Sequence, residues 1–236
     1  KSLLAYCLAA VLGLGAAAGG VSAVVGSMHF PVVTDTVLGW QHHMMLGLNK
    51  DTNGGYSQAD FDYSTSFSSA EEQHAAELKE IGKRLKDFGV GGYLQHFVKK
   101  SARNYFDGCF GWGGLGETFY TEIFPERGTV LCSLIRSLYY DNTEDTLYRY
   151  PALFRQILWY MVLVLVPFSV FTKRPLDKKR QVAVLSVLGL MLYLQIFEAH
   201  ARYLYTFVPI FVFLATEGID NLRKYLNQKS ERRVKK

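Results

Sequence analysis

Four long apolar stretches separate the charged parts of this chain and constrain what it can fold into. They run from Leu3 to Gly26, from Leu153 to Phe171, from Val182 to Phe197 and from Tyr203 to Thr216. About 20 apolar residues in a helix cross the hydrocarbon of a bilayer, where unpaired backbone groups are too costly for other open structures. The sequence therefore predicts an all-α integral membrane protein with about four transmembrane helices.

The last two stretches are separated by a short polar segment, Glu198 to Arg202. One continuous helix of about 35 residues would overshoot a bilayer. A helical hairpin with its turn at this segment is therefore favoured over one long bent helix.

The first stretch follows Lys1 at once. It is about twice as long as the hydrophobic region of a signal peptide. A spanning helix is therefore favoured over a cleaved signal peptide, and we expect this chain to be the C-terminal part of a longer membrane protein.

Basic residues set the expected orientation, because positively charged loops stay on the cytoplasmic side. One basic cluster lies between the second and third stretches and another lies at the end of the chain. Residues 27–152 carry 16 acidic and 11 basic side chains. The net positive charge of the whole chain therefore comes from residues outside this range, as is typical of anchoring at anionic lipid. It does not indicate nucleic-acid binding.

The predicted order follows from these spans and charges: a first transmembrane helix (1–26), an extracytoplasmic domain (27–152), a second transmembrane helix (153–172), a cytoplasmic basic loop (173–181), a transmembrane helical hairpin (182–219) and a cytoplasmic basic tail (220–236). The protein is expected in the cell membrane as a multi-pass protein.

The segment between the first and second spans is expected to be mostly helical. Ser69 and Glu72 form a capping box for a helix from Ala70 to Phe88, which Gly89 should end. Apolar residues at positions 75, 78, 81, 85 and 88 recur at helical spacing. They predict an amphipathic surface helix whose apolar face packs on the rest of the domain.

A second helix is expected from Tyr93 to Tyr105. The glycine-rich stretch that follows, Gly108 to Gly116, is expected to form a loop that lies against lipid headgroups through Phe110 and Trp112. A disulfide between Cys109 and Cys132 is a further option outside the cytoplasm.

The polar turn before the last span is the sharpest candidate site, because ionisable residues at membrane depth are costly and usually functional. Two interpretations remain open for its charged pair. Glu198 and Arg202 are four residues apart and would form an ion pair if the segment stays helical. Alternatively, Arg202 binds a lipid phosphate and Glu198 orients it.

A second polar cluster follows the first span. It contains His42 and His43, then a tight bend at 53–55, then Asp60. Adjacent histidines do not share one helix face, so we expect one to face a polar cavity and the other to be satisfied locally, rather than a two-histidine metal site. The sequence leaves open whether a divalent metal is needed. Asp107, before a glycine, is expected to be a turn residue, with substrate binding as the alternative.

These residues carry a resemblance to a known family. The segment Phe197-Glu198-Ala199-His200-Ala201-Arg202-Tyr203, followed by Phe207-Val208-Pro209 and an apolar helix with Gly218, resembles the end of the multispanning, GT-C type glycosyltransferases of the dolichyl-phosphate-mannose protein mannosyltransferase family. The outer runs His43 to Asn49 and Asn53 to Asp60, with Asp107-Gly108, are similar to Gram-positive bacterial members of that group.

The resemblance implies transfer of a sugar from a polyprenyl-phosphate carrier to a cell-envelope acceptor on the outer face. In such families a carboxylate in an early outer loop acts as the base, and that loop belongs to a part that this chain lacks. The chain alone is therefore expected to be inactive and to hold no catalytic residue. It would supply substrate-binding residues, with Arg202 at the carrier phosphate, Glu198 holding it, and His200 and Tyr203 beside them. His42 or His43, together with Asp60 and Asp107, would line the acceptor side.

The alternative from another class is a non-catalytic membrane transporter or a flippase-like scaffold, whose ionisable turn lines a pathway. Transporters tend to show repeated halves with broken helices, and this sequence has no internal repeat. It also has no nucleophile elbow, zinc pattern or nucleotide-binding fingerprint, which leaves an ATP-driven or soluble-type enzyme unsupported.

Overall fold

The computed structural model describes residues 2–28, 38–111, 130–139, 147–171 and 176–234. Within these ranges every regular element is a helix, which confirms the predicted all-α class. The α-helices are α1 (Ser2–Ser27), α2 (Trp40–Gly47), α3 (Gln58–Thr65), α4 (Ala70–Tyr105), α5 (Val130–Tyr139), α6 (Arg149–Leu165), α7 (Lys178–Ile196) and α8 (Val208–Val234), with 3₁₀ helices at Val166–Ser169 and Ala201–Phe207.

Three helical segments in the described part of the chain are long and apolar enough to cross a membrane: Arg149–Ser169, Lys178–Ile196 and Ala201–Ser230. They correspond to the last three predicted stretches. The first stretch is helical in α1 over 26 residues. At 1.5 Å per residue this length exceeds the ~30 Å of a hydrocarbon core.

The connection between α7 and α8 breaks the helix where the polar segment lies. Phe197, at the C-terminal cap of α7, has extended backbone angles (φ −99°, ψ −178°). Residues 198–200 have no regular structure, and the chain resumes as the 3₁₀ helix before α8. One long bent helix is therefore wrong. Helix α8 itself continues to Val234, through most of the predicted tail.

An apolar core joins α6, α7 and α8. Its buried members include Trp159 of α6, Leu194 of α7 and Phe211 of α8. At the far end of α6, the absence of a side chain at Gly218 lets α8 approach the carbonyl of Leu165, where a Cβ would collide. The three membrane-crossing segments are thus one packed unit.

The start of the loop after α4 contacts this core. The ring of Phe110 packs edge-on against Trp159, with 5.0 Å between ring centroids, and also contacts Tyr205. Contact of this loop with headgroups stays a prediction, and Trp112 with the rest of the loop lies outside the described residues. The cysteine at position 109 forms no disulfide with Cys132, and its sulfur accepts a hydrogen bond from Arg155.

The N-terminal boundary of α4 and its interruption agree with the sequence. The Ser69 hydroxyl accepts a hydrogen bond from the backbone N–H of Glu72, as a capping box requires. Gly89 has a left-handed φ of 56°, which only glycine adopts without strain. The helix resumes directly after it and ends at Tyr105, so Gly89 produces a kink rather than a stop.

The face that α4 turns inward differs from the prediction. Gln73, Glu77 and Ile81 are buried, whereas Leu78 and Leu85 are 47% and 41% exposed. Apart from Ile81, this face carries polar side chains, because it meets polar groups of α2 and α3. An apolar periodicity could not reveal this, since it assumes that the neighbouring surface is apolar.

Candidate functional site

The two polar clusters of the sequence meet in the structure. The backbone N–H of Ala199 donates a hydrogen bond of 2.6 Å to the carbonyl of Gly54, so the polar turn lies on the bend after α2. In the same region the Nδ1 atom of His43 lies 3.5 Å from the Glu198 carboxylate. Residues about 150 positions apart in the chain therefore form one site.

The bend that meets the turn depends on glycine. Asn53 and Gly54 both have left-handed backbone angles, with φ of 50° and 81°. The Gly54 N–H closes the bend onto the carbonyl of Asn49. At Gly55 the absence of a side chain makes room for the guanidinium of Arg103, which lies directly against it.

A buried lysine joins the helices beneath the site. The Nζ atom of Lys100 donates hydrogen bonds to the carbonyls of Gly47 (2.8 Å) and Gln195 (2.9 Å). These carbonyls lie at the C-terminal ends of α2 and α7, where a helix leaves acceptors unpaired and carries partial negative charge. One ammonium group thus holds both helix ends together.

The environment of Lys100 also perturbs its ionisation. Its side chain is fully buried, and this burial lowers the pKa of Lys100 from 10.5 to about 7, although nearby Glu198 acts in the opposite direction. His96 adds a third donor at the same place, through Nε2 to the carbonyl of Gly47 at 2.9 Å. Burial likewise lowers the pKa of His96.

Glu198 is buried and faces two side chains of the site. Its carboxylate accepts a hydrogen bond from the Tyr203 hydroxyl (3.0 Å) in addition to its contact with His43. Among the ion pairs of the described residues, none joins Glu198 to Arg202. The helical pairing of these two residues is wrong because residues 198–200 are not helical.

Arg202 is exposed at the rim of the site. Its guanidinium carbon lies 5.4 Å from the centroid of the Tyr203 ring, in a cation–π contact. Its backbone N–H donates to Nδ1 of His200. Burial lowers the pKa of His200, and the positive charge of Arg202 lowers it further.

His42 lies behind the open part of the site, in a fully buried polar cluster. Its Nδ1 atom is 2.7 Å from the Ser64 hydroxyl and 3.8 Å from a carboxylate oxygen of Glu77. Burial lowers the pKa of His42, with Glu77 opposing this effect. The three residues do not form a nucleophilic triad, because serine and carboxylate meet the same ring nitrogen instead of opposite ones.

Asp60 is engaged in a structural ion pair. Arg84 donates to both of its carboxylate oxygens, at 2.7 and 2.9 Å, and Asn49 donates a third hydrogen bond. Burial acts to raise the pKa of Asp60, but the hydrogen bonds from Arg84 and Asn49 outweigh it and the pKa is lowered. This side chain stabilises the α2–α3–α4 packing.

Asp107 has the role of a turn residue. Its carboxylate accepts hydrogen bonds from the backbone N–H groups of Cys109 and Gly111. Gly111 has a φ of 79°, and a side chain there would collide with the ring of His200. Asp107 therefore shapes the loop that covers His200, and its own oxygens are occupied by backbone donors.

An apolar groove begins where the polar site ends. It has a volume of about 480 Å³ and is lined by Ser186, Gly189, Leu190, Tyr193, Tyr203 and Phe207. Gly189 leaves open space on the α7 side of the groove. Tyr203 belongs to both regions, since its hydroxyl meets Glu198 and its ring lines the groove.

The described residues contain no group of three or more His, Cys, Asp or Glu side chains arranged to hold a metal ion. Of the sequence-predicted residues, the structure brings His43, Glu198, His200, Arg202 and Tyr203 to one place. His42 lies directly behind them, with its ring centroid 5.5 Å from that of His43. Asp60 and Asp107 serve the surrounding structure.

Sequence reasoning missed Lys100, His96 and Arg103. In the sequence they stand among other polar residues of the predicted helix from Tyr93 to Tyr105, which is how solvent-facing side chains look. Lys100 and His96 bind backbone carbonyls, and Arg103 lies against Gly55. These partners are distant in the chain.

Comparison with known proteins places the chain in a family. The model of the family described as conserved hypothetical integral membrane protein matches residues 3–221, and the chain belongs to this family. No curated protein matches the chain, and no solved structure matches it.

Proposed function

We propose that this integral membrane protein is the C-terminal portion of a glycosyltransferase that moves a sugar from a polyprenyl-phosphate carrier to an extracytoplasmic acceptor. The observation that carries the proposal is the position of Tyr203 between a polar site and an apolar groove. A substrate that fits both regions has a charged head and a hydrocarbon tail. A polyprenyl-phosphate sugar has this chemistry, and so the proposal agrees with the family resemblance of the turn.

Arg202 is proposed to bind the phosphate of the carrier. Its guanidinium is exposed and lies over the ring of Tyr203, a residue that lines the groove. Arginine binds phosphate in a bidentate manner and keeps its charge at any physiological pH. When the bond between the sugar carbon and the phosphate oxygen breaks, its electron pair stays on that oxygen, and Arg202 would stabilise the added charge.

His43 and Glu198 are proposed to line the acceptor side. Glu198 meets His43 and Tyr203, so it orients these two side chains and not Arg202. The acceptor hydroxyl forms the new bond to the sugar carbon and gives up its proton to a base. The resemblance implies that this base is a carboxylate of an earlier outer loop.

The proposed location follows from the charge distribution. The two basic clusters favour the cytoplasmic side for the loop before α7 and for the end of α8. Residues 27–152 and the turn at Glu198 would then face the outside of the cell membrane. A lipid-linked sugar and a cell-envelope acceptor meet on that face.

The test is a transfer assay on membranes that contain the protein in its full natural length. Labelled polyprenyl-phosphate sugars are offered to the wild type, to Arg202→Ala and to Arg223→Ala, an exposed arginine of α8 that serves as the matched control. We expect Arg202→Ala to reduce transfer by about 10²–10³-fold, the usual effect of removing one group that stabilises developing charge. The control should transfer at the wild-type rate.

Retained transfer in Arg202→Ala would overturn the role of this arginine. If well-inserted wild-type protein transfers none of the common polyprenyl-phosphate sugars, the transporter or scaffold alternative takes precedence. A binding measurement with polyprenyl phosphate alone separates these cases. If the protein has the carrier site, the wild type should bind polyprenyl phosphate more tightly than Arg202→Ala does. If it is a scaffold without that site, the two proteins should bind it equally.

A further inference from the structure

Helix α4 changes character at the Gly89 kink. Before the kink, residues 71–87 carry nine charged side chains; after it, residues 90–98 carry no Asp, Glu, Lys or Arg. The apolar residues after the kink are nevertheless highly exposed: Val90 by 84%, Leu94 by 62% and Val98 by 66%, with Phe97 beside them. They recur at helical spacing and so form one outward apolar face.

Another face of the same segment is polar and buried. His96, Lys100 and Asn104 lie four residues apart and are all inaccessible to solvent. This part of α4 therefore buries the polar row of His96, Lys100 and Asn104 and presents the apolar row of Val90, Leu94 and Val98. Helices with an outward apolar face suit lipid, because the hydrocarbon is the favourable solvent for that face.

The C-terminal part of α4 lies against the membrane-crossing helices. The indole N–H of Trp159 in α6 donates to the carbonyl of Tyr105, and the ring of Phe106 contacts that of Tyr160. Lys100 contacts the carbonyl of Gln195 near the end of α7, and Gln195 donates to Ser101. At 1.5 Å per residue, Val98 is only about 10 Å along the helix from Tyr105.

From this arrangement we propose that residues 90–98 of α4 lie on the bilayer, with Val90, Leu94, Phe97 and Val98 inserted into its hydrocarbon. The occupant of this face is lipid rather than another protein, because the face is continuous with helices that are themselves lipid-exposed. Phe106 is 66% exposed where it meets Tyr160, and Phe154 and Val164 of α6 are exposed by similar amounts. The segment belongs to the region that the sequence predicts to be an extracytoplasmic domain, and this proposal puts it in the membrane interface.

The kink explains how one part of α4 can lie in water and the other on the membrane. The left-handed Gly89 redirects the chain between its charged and its apolar parts. The first part, with Lys79, Lys83 and Lys86 exposed, then remains in water. The second part rests on the membrane and places Lys100 under the candidate site.

Site-directed spin labelling in lipid nanodiscs tests this proposal without any assay of activity, so its failure would be distinguishable from failure of the proposed function. A single cysteine is introduced at Val98 or, as a second position, at Val90, with Cys7, Cys109 and Cys132 replaced by serine. Leu78→Cys is the matched control, because Leu78 is also exposed but lies before the kink. Collision rates are measured with oxygen, which partitions into lipid, and with a water-soluble nickel chelate.

We expect labels at positions 90 and 98 to collide more with oxygen than with the chelate, and the label at position 78 to show the reverse. Equal access to the chelate at positions 98 and 78 would overturn the proposal, since the apolar face would then lie in water. Protection of positions 90 and 98 from both reagents would also overturn it, because a protein surface would then cover them.

Discussion

Lys100 should make the stability of this protein depend on pH above neutrality. Burial lowers its pKa from 10.5 to about 7 in the folded state. Between these two values the unfolded protein binds one proton that the folded protein does not bind. Stability therefore rises with pH over this window, by at most about 1.4 kcal/mol per pH unit. From pH 7 to pH 9, the two titration curves give a gain of about 2 kcal/mol.

The assay is reversible unfolding in detergent at a series of pH values, applied to the wild type, Lys100→Met and Lys99→Met. Lys99 is the matched control, since it neighbours Lys100 on α4 but is exposed. Lys100 also lowers the pKa of His96, but that ring titrates below the window from pH 7 to pH 9, so differences between the slopes isolate Lys100. We expect the rise to be absent in Lys100→Met and unchanged in Lys99→Met.

A Lys100→Met variant with the same slope as the wild type would refute this reasoning. It would show that the carbonyl ends of α2 and α7 stabilise the ammonium as well as water does. Independently of pH, the substitution leaves the carbonyl of Gln195 without the donor that Lys100 supplies, whereas Gly47 keeps His96. The variant should therefore lose about 1–3 kcal/mol relative to a neutral buried lysine.

Three further predictions use the same unfolding measurement. Arg84→Met should lower the free energy of unfolding by about 3 kcal/mol, because it leaves a buried carboxylate unpaired. Lys83→Met, at an exposed ion pair, should change it by less than about 1 kcal/mol, and equal effects would contradict a special role for Arg84. Gly54→Ala should cost about 1–3 kcal/mol because of its positive φ and the adjacent Lys100 stem. Gly82→Ala, in open helix, should stabilise by about 0.5–1 kcal/mol, so a harmless Gly54→Ala would refute the strained bend. Burial lowers the pKa of His96 below 6.5, so the unfolded state binds more protons and stability should fall as pH drops below about 6.5. His96→Gln should flatten this acid slope, and an unchanged slope would assign it to other histidines.

The elements with strong local signals could be predicted from the sequence. Ser69 and Glu72 specify where α4 begins through contacts within one turn. The apolar stretches specify the membrane helices because length and hydropathy suffice for that purpose. The break at residues 197–200 was also predictable, since the polar residues there interrupt an apolar pattern that is otherwise too long for one span.

The assignment of faces and partners could not be predicted in the same way. Glu77 and Lys100 look like solvent-facing residues of a helix, and both are completely buried. Leu78, which looks like a core residue, is exposed. Polar residues can be buried here because other polar groups meet them, among them Gln73, which donates to Glu77. Such contacts depend on which helices are neighbours, and local periodicity carries no information about that.

The positions of the candidate site and of the apolar face of α4 are physically linked. Lys100 and Ser101 bind Gln195, which precedes Glu198 by three residues. If Val98 lies in the outer hydrocarbon, the turn with Arg202 must therefore lie close to the headgroup level. The phosphate of a polyprenyl carrier lies at that same level when its chain is in the bilayer. The labelling experiment consequently bears on the mechanism as well. Arg202 also lies at the start of the membrane-crossing segment Ala201–Ser230, so a water-exposed Val98 would remove one of two independent arguments for its position at the headgroup level.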